Sequence, residues 1–279
     1  MDDGEPDSAD TPVRRRRRKR DFVTALLLLF AFVVLVSWWQ RIAIADDFLR
    51  RELDRRDVRA TYRIEQVGIR TQRIRNLVLG DPARPDLVAD LVEIDLSFGP
   101  TPQVTALRVE GARLYGRWAD GRLQLGALDR FRDPASTEPF ALPFIRARLR
   151  DVRARIETPA GPVAATLDGA GWLDDGFRGR LAMVGRNLAA GGCGLAAVSY
   201  YGRVTIDEQR PALDGPLRFD RLACPGQRFA SSGGVIDLNA RLSERLDRGS
   251  GTATLRLGPL LWQDRRAAGA DGRLTIQGG

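Results

Sequence analysis

The chain has no histidine, and of its 44 basic residues only Lys19 is a lysine. The missing histidine excludes Ser-His-Asp and Cys-His catalysis, histidine metal sites and the commonest general base. A Ser-Lys dyad deep in the chain is excluded too, because the single lysine adjoins a hydrophobic segment near the N-terminus. Two cysteines, Cys193 and Cys224, are too few for a zinc site made of cysteine alone. They can pair if that part of the chain lies in an oxidising compartment, or remain two buried thiols, and their spacing does not choose between these. No cofactor and no metal is expected, and no catalytic constellation is recognised.

What is present is arginine. The formal net charge is +8 over 279 residues, and Arg14–Arg20 supplies seven positive charges against five acids in the first ten residues. Without the first twenty residues 37 basic and 31 acidic side chains remain, a net of +6. After Arg20 no stretch clusters basic residues with stacking aromatics, so no nucleic-acid partner is expected.

The basic run is followed by "FVTALLLLFAFVVLVSWW", Phe22 to Trp39, with no charge in it. At about 1.5 Å per residue its length is about 27 Å, close to the roughly 30 Å hydrocarbon core of a bilayer. Phe22, Leu28, Phe32, Trp38 and Trp39 are the expected anchor residues. The arginines stay cytoplasmic and the tryptophans sit at the far interface. The alternative is a cleaved signal peptide, because "AIA" at Ala43–Ala45 imitates a cleavage site; the long apolar run and the bulky Trp38, Trp39 and Arg41 speak against it. On either reading the bulk of the chain is exported, and the pattern suits a bacterial inner membrane with the remainder in the periplasm.

Residues 40–58 have helical apolar spacing at Ile42, Ala45, Leu49 and Leu53, which predicts a stalk. From there the period becomes two. In "LVEIDLSFGP", Val92, Ile94, Leu96 and Phe98 face one way, and Glu93, Asp95 and Ser97 the other. "VTALRVEGARLYGRW" offers Leu107, Val109, Leu114 and Trp118, with Gly111 and Gly116 as bends. "FIRARLRDVRARIE" sets Ile145, Ala147 and Leu149, then Val152, Ala154 and Ile156, against arginines. Further strands are predicted at Val163–Leu167, Gly179–Met183, Val198–Ile206, Leu217–Leu222, Val235–Leu242, Thr252–Leu257 and Leu274–Gln277. Turns are expected at Asp81-Pro82, Gly99-Pro100, Asp120-Gly121, Gly161-Pro162, Asp214-Gly215-Pro216 and Asp271-Gly272. The repeated "ADGRL" at Ala119–Leu123 and Ala270–Leu274 is read as turn chemistry, and its late second copy as an array that stops while still running.

The expected organisation is a basic tail (1–21), a transmembrane helix (22–39), a stalk (40–58), a first β segment (59–128), a linker (129–143) and further β repeats (144–279). The exported part is all-β, with many short antiparallel strands. A closed sandwich or barrel would cover its apolar faces, and so would an open trough. About twenty strands at about 4.8 Å each would give a trough of at most roughly 95 Å.

The remaining motifs are weak. Gly192-x-Gly194-x-x-Ala197, with Asp214 twenty residues beyond Gly194, has the outline of a dinucleotide fingerprint without its βαβ context and is read as a loop. Asp46-Asp47 and Asp174-Asp175 are read as cap and turn residues rather than cation ligands. Paired carboxylates for glycoside hydrolysis are not excluded by residue type, but most acids lie on the polar side of alternating strands.

A basic N-terminus, one membrane helix and a short stalk lead into "YRIEQVGIRTQRIRNLVLGDPARPDLVADLVEIDLSFG" and "VTALRVEGARLYGRW". This order resembles the start of AsmA-like proteins, most closely the YdbH-type intermembrane phospholipid transport proteins, related to TamB, over about Arg14 to Phe131. The resemblance implies an inner-membrane-anchored bridge whose open β groove carries phospholipids through the periplasm to an outer-membrane lipoprotein or barrel partner. It also implies that this chain is the N-terminal portion of a longer one. Val92, Ile94, Leu96, Phe98, Leu107 and Val109 would line the groove floor near the membrane. Two other readings stand beside it: a TamB-like factor in outer-membrane protein assembly, and a β module in which the same residues form a closed, dry core.

Overall fold

A chain in which apolar and charged residues alternate separates the two sets by extending, because successive side chains of a strand point to opposite faces. The computed structural model describes residues 46–47, 49–68, 70–97, 103–119, 122–131, 141–244 and 248–276. Leu49–Gly279 forms one compact unit. The expected anchor residues Phe22, Leu28, Phe32, Trp38 and Trp39, and the alternative cleavage site Ala43–Ala45, lie outside the described residues. Among the described residues no helix is long and apolar enough to cross a membrane.

Eighteen strands belong to one sheet. β1 (Ala60–Val67), β2 (Thr71–Asp81), β3 (Arg84–Ser97) and the successive β4 (Gln103–Glu110) and β5 (Arg113–Ala119) make a first antiparallel meander. β6 (Arg122–Gln124) turns back along the end of β5. β7 (Arg146–Thr158) then lies parallel to both β4 and β5, from Ala106↔Arg146 to Arg117↔Glu157. A second antiparallel meander follows through β8 (Gly161–Trp172), β9 (Phe177–Ala190) and β10 (Cys193–Asp207).

It continues in four long strands, each broken once. They are β11 (Arg210–Phe219) with β12 (Arg221–Cys224), β13 (Phe229–Ser231) with β14 (Gly234–Leu242), β15 (Gly249–Leu257) with β16 (Leu260–Trp262), and β17 (Arg265–Ala267) with β18 (Ala270–Ile276). Each runs antiparallel to the one before it.

With in-line pieces taken together the sheet is twelve strands wide. At about 4.8 Å per step that is about 53 Å, well short of the 95 Å expected from about twenty separate strands. Among the described residues no strand pairs with the outer edge of β1 or of β18, so the described strands do not close into a barrel.

Three expected turns are strand instead. Gly161-Pro162 opens β8, opposite Thr158 and Glu157. Asp271-Gly272 lies inside β18, opposite Arg256 and Leu255, while the expected turns at Asp120-Gly121 and Gly99-Pro100 lie outside the described residues. Asp214-Gly215-Pro216 lies inside β11, paired to Asn239, Leu238 and Asp237 of β14. Pro216 has no N–H to donate. The β10–β11 register accordingly lacks pairs between Tyr200↔Leu217 and Arg203↔Asp214. The polar stretch 129–143 does not divide the sheet, because β7 joins β4 and β5 directly.

Bends preserve the alternation. A single left-handed or bulged residue shifts a strand's facing by one position. Asn76 in β2, Gly111 between β4 and β5, and Asp151 in β7 have φ of 51°, 63° and 51°. In β7 the apolar set changes from Ala147 and Leu149 to Val152, Ala154 and Ile156. The register with β8 shifts between Leu149 and Val152, which keeps both sets on one face.

Residues 49–55, within the expected stalk, are helical. Leu53 and Val58 are buried with Leu79 of β2 and Ala127, and Leu49, Leu77, Leu87 and Leu128 pack around them. Ala127 belongs to a 3-10 turn, Gly126–Phe131, whose Ala127 N–H donates to the Asp86 carboxylate at 2.9 Å. On the second meander Phe177, 2% exposed, lies over glycines of β8 and β9. A Cβ at Gly169 would stand 2.5 Å from the Phe177 ring and 2.9 Å from the Arg178 carbonyl oxygen. A Gly169→Val substitution is therefore expected to lower stability by about 1–3 kcal/mol, read as a shift in denaturant midpoint.

Cys193 in β10 and Cys224 in β12 form a disulfide with Cα atoms 4.1 Å apart. It closes a loop of 31 residues. Loop entropy then predicts that the Cys193→Ala/Cys224→Ala protein loses about 3–4 kcal/mol. Denaturation of oxidised and reduced wild type checks this, and the double variant should match the reduced form.

Candidate functional site

The apolar face is built row by row across the sheet. Val92 of β3 stands opposite Val109 of β4, and Ile94 opposite Leu107. The parallel joint continues these rows to Leu149 and Ala147 of β7. Leu96 stands opposite Val104. Five of the six expected floor residues therefore share one face, and the sixth, Phe98, lies outside the described residues.

The longest row begins beyond them. Ala154, Ala165, Met183, Tyr200, Leu217, Ile236 and Leu255 are consecutive cross-strand neighbours from β7 to β15. Its far members were not named as floor residues from the sequence, although each sits in an alternating strand that was recognised. The signal was present in every strand, but which strands adjoin was not.

This face is only half covered. Val92, Ile94, Leu96, Leu107 and Val109 are all partly exposed, as are Leu181, Leu217, Ile236 and Leu255. Among the described residues just fourteen apolar side chains are buried, two small groups of which form clusters. One lies under the short helix; the other joins Ala147, Phe177 and Ile206, with Leu142 and Leu173 against them. A dry two-layer core would bury most of both inner faces. The single sheet leaves its floor open between the clusters.

The opposite face carries the charge. Arg73 donates to Glu93 at 2.9 and 2.7 Å, Arg108 to Glu110 at 3.0 and 2.7 Å, and Arg203 to Asp214 at 2.9 Å. Arg153 pairs with Asp151 and Arg155 with Glu157 along β7. The hydrogen bond from Arg108 holds the Glu110 carboxyl below its usual range against an opposing effect of burial. Most of these pairs are exposed and contribute little to stability. Their consequence is a wetted face that cannot invert into the apolar one.

Among the described residues no group of three or more histidine, cysteine or acidic side chains could hold a metal ion. Gly191 and Gly192, with φ of 60° and 76°, make the tight β9–β10 turn and lead straight into a strand, so Gly192-x-Gly194-x-x-Ala197 cradles no helix. Asp174 and Asp175 occupy the β8–β9 turn, where the Asp175 carboxylate accepts the Glu208 N–H at 3.1 Å.

The fold thus defines a class, a β-rich protein with one continuous apolar sheet face left partly open to solvent. Residues 28–278 match the YdbH-like family, described as intermembrane phospholipid transport protein YdbH, and the chain belongs to that family. No curated protein and no solved structure matches it.

Tyr200 is the polar exception on the floor. It is 3% exposed, and its hydroxyl has no hydrogen-bond partner. Burial, and secondarily the charge of Asp214, push the phenol above its usual pKa. A raised phenol pKa means stability present below the unfolded value of about 10 and lost as the pH rises through the folded one. Tyr200→Phe is expected to raise stability by about 1 kcal/mol and to blunt the loss above about pH 10. Urea titrations at neutral and alkaline pH check both.

Proposed function

We propose that the apolar face is a track for phospholipid acyl chains, along which the protein moves lipids between the inner and outer bacterial membranes. The supporting observation is the row from Ala154 to Leu255, which crosses seven neighbouring strands, is apolar but for the buried Tyr200, and is otherwise partly open to solvent. An acyl chain laid along it gains about 0.8 kcal/mol per buried CH₂ without any directional contact. Because the row offers the same chemistry at each strand, the chain can slide without leaving one deep well. Headgroups remain in water at the open side. Phe22–Trp39 anchors the protein in the inner membrane, the bulk lies in the periplasm, and an outer-membrane lipoprotein or barrel receives the lipid. The work is carriage, not catalysis.

Photo-crosslinking tests the track. A benzophenone side chain at Leu96 or Leu217 is expected to capture phospholipid in cells, and one at Arg218, on the charged face, is not. In the Leu217→Asp/Leu255→Asp protein, capture from Leu96 should persist while capture from Ile236 falls by about tenfold, since two charges on the apolar face interrupt the row. Equal capture from both faces, or none from a folded protein, would overturn the reading.

A further inference from the structure

We infer that the charged face of β4, β7 and β9 carries a docking site for a phosphate group, separate from the apolar track. A depression of about 420 Å³ opens there, lined by Ala106, Leu107, Ala147, Ala170 and Gly171 and by the carboxylates Glu93 and Asp95. Arg108, Arg146 and Arg148 also line it. Ala170 of β8 stands between Arg148 of β7 and Arg178 of β9 in the ladder. Two arginines on strands about 10 Å apart, with only a methyl group between them, can close on one anion from both sides.

The acids of this region are engaged. Glu93 accepts both contacts from Arg73, Asp95 accepts the Thr71 hydroxyl at 2.6 Å, and Glu110 holds Arg108 and approaches Arg150 at 3.8 Å. Among the described residues Arg146, Arg148 and Arg178 have no ion-pair partner, unlike Arg153, Arg155, Arg203 and Arg256 on the same face. Arg146 and Arg148 line the depression, and Arg178 stands one strand beyond Ala170; exposed guanidiniums so placed match the oxygens of a phosphate, which each can grip through two N–H groups.

A flat apolar plate borders the site. Trp172 stands opposite Arg146 in the ladder and stacks on Phe144, ring centres 4.7 Å apart and planes 19° from parallel. Phe144 is 72% exposed and Trp172 39%. Aromatic rings beside arginines suit the polar boundary of a lipid layer. The phosphate is therefore that of a lipid headgroup or a free phosphate, and the probes below separate the two.

The full chain in an uncharged detergent is titrated calorimetrically with inorganic phosphate and with glycerophosphoglycerol, a headgroup without acyl chains. Both are expected to bind; a tighter fit of glycerophosphoglycerol assigns the site to lipid headgroups, and a tighter fit of phosphate assigns it to the free ion. In Arg146→Gln/Arg148→Gln/Arg178→Gln both affinities should fall by about tenfold, and in Arg148→Gln alone by about threefold. The control Arg155→Gln/Arg203→Gln/Arg256→Gln should retain wild-type affinity. Lipid capture from Leu217 should be unchanged in the triple variant, which separates this site from the track. Absence of binding by either probe at millimolar concentration, an equal loss in the control, or no loss in the triple variant overturns the site.

Discussion

A one-layer sheet is held to a single requirement, that apolar side chains keep to one face through every strand. Slippage by one residue would carry a whole strand's apolar set to the charged side. The bends at Asn76, Gly111 and Asp151 are where this phase is at risk, and each is placed so that the shift in facing is matched by a shift in which residues are apolar. Arginine–carboxylate pairs on the other side add little binding energy, but they make the inverted arrangement costly, since it would place those charges on the apolar floor.

The floor's texture follows from its glycines. Phe177, Phe219 and Tyr200, among the most buried aromatics, lie over Gly169 and Gly179, over Gly234, and over Gly202. Glycine opposite or beside an aromatic lets the ring lie along the sheet instead of standing up from it, and the ring restores the contact area that glycine lacks. The surface is thereby kept low, with few tall side chains between one apolar strand and the next. Such a floor gives a flexible hydrocarbon chain continuous contact, and it lacks the walls that would turn one position into a pocket.

Alternation made most of this legible. The sequence reading sets Val92, Ile94 and Leu96 against Glu93 and Asp95, and the register pairs the first three with Val109, Leu107 and Val104 of β4; the change of phase between Leu149 and Val152 is visible in the residues themselves. Pairing between distant strands was not legible, because period-two patterning says which way a side chain points and nothing about its neighbour. Hence the parallel joint of β7 to β4 and β5, the in-line strand pieces and the smaller width were missed. Asp-Gly and Gly-Pro misled for a related reason: at Asp271-Gly272 and Gly215-Pro216 the ladder partners hold extended a dipeptide that favours turning when alone. The arginine cluster around Ala170 was invisible for the same cause, since Arg148 and Arg178 are thirty residues apart in the chain and become neighbours only through β8.

The parallel joint also sets a cost in folding. Antiparallel ladders grow from their turns: Asp207↔Arg210 closes over three residues, and each further pair adds two. Across the joint every pair, from Ala106↔Arg146 to Arg117↔Glu157, spans forty residues, so no short contact exists from which it could zip. Closing forty residues instead of three carries an extra loop entropy of about 2 kcal/mol. The two meanders can each start from their own turns and the joint cannot, so it carries the largest loop-closure cost of the described ladders.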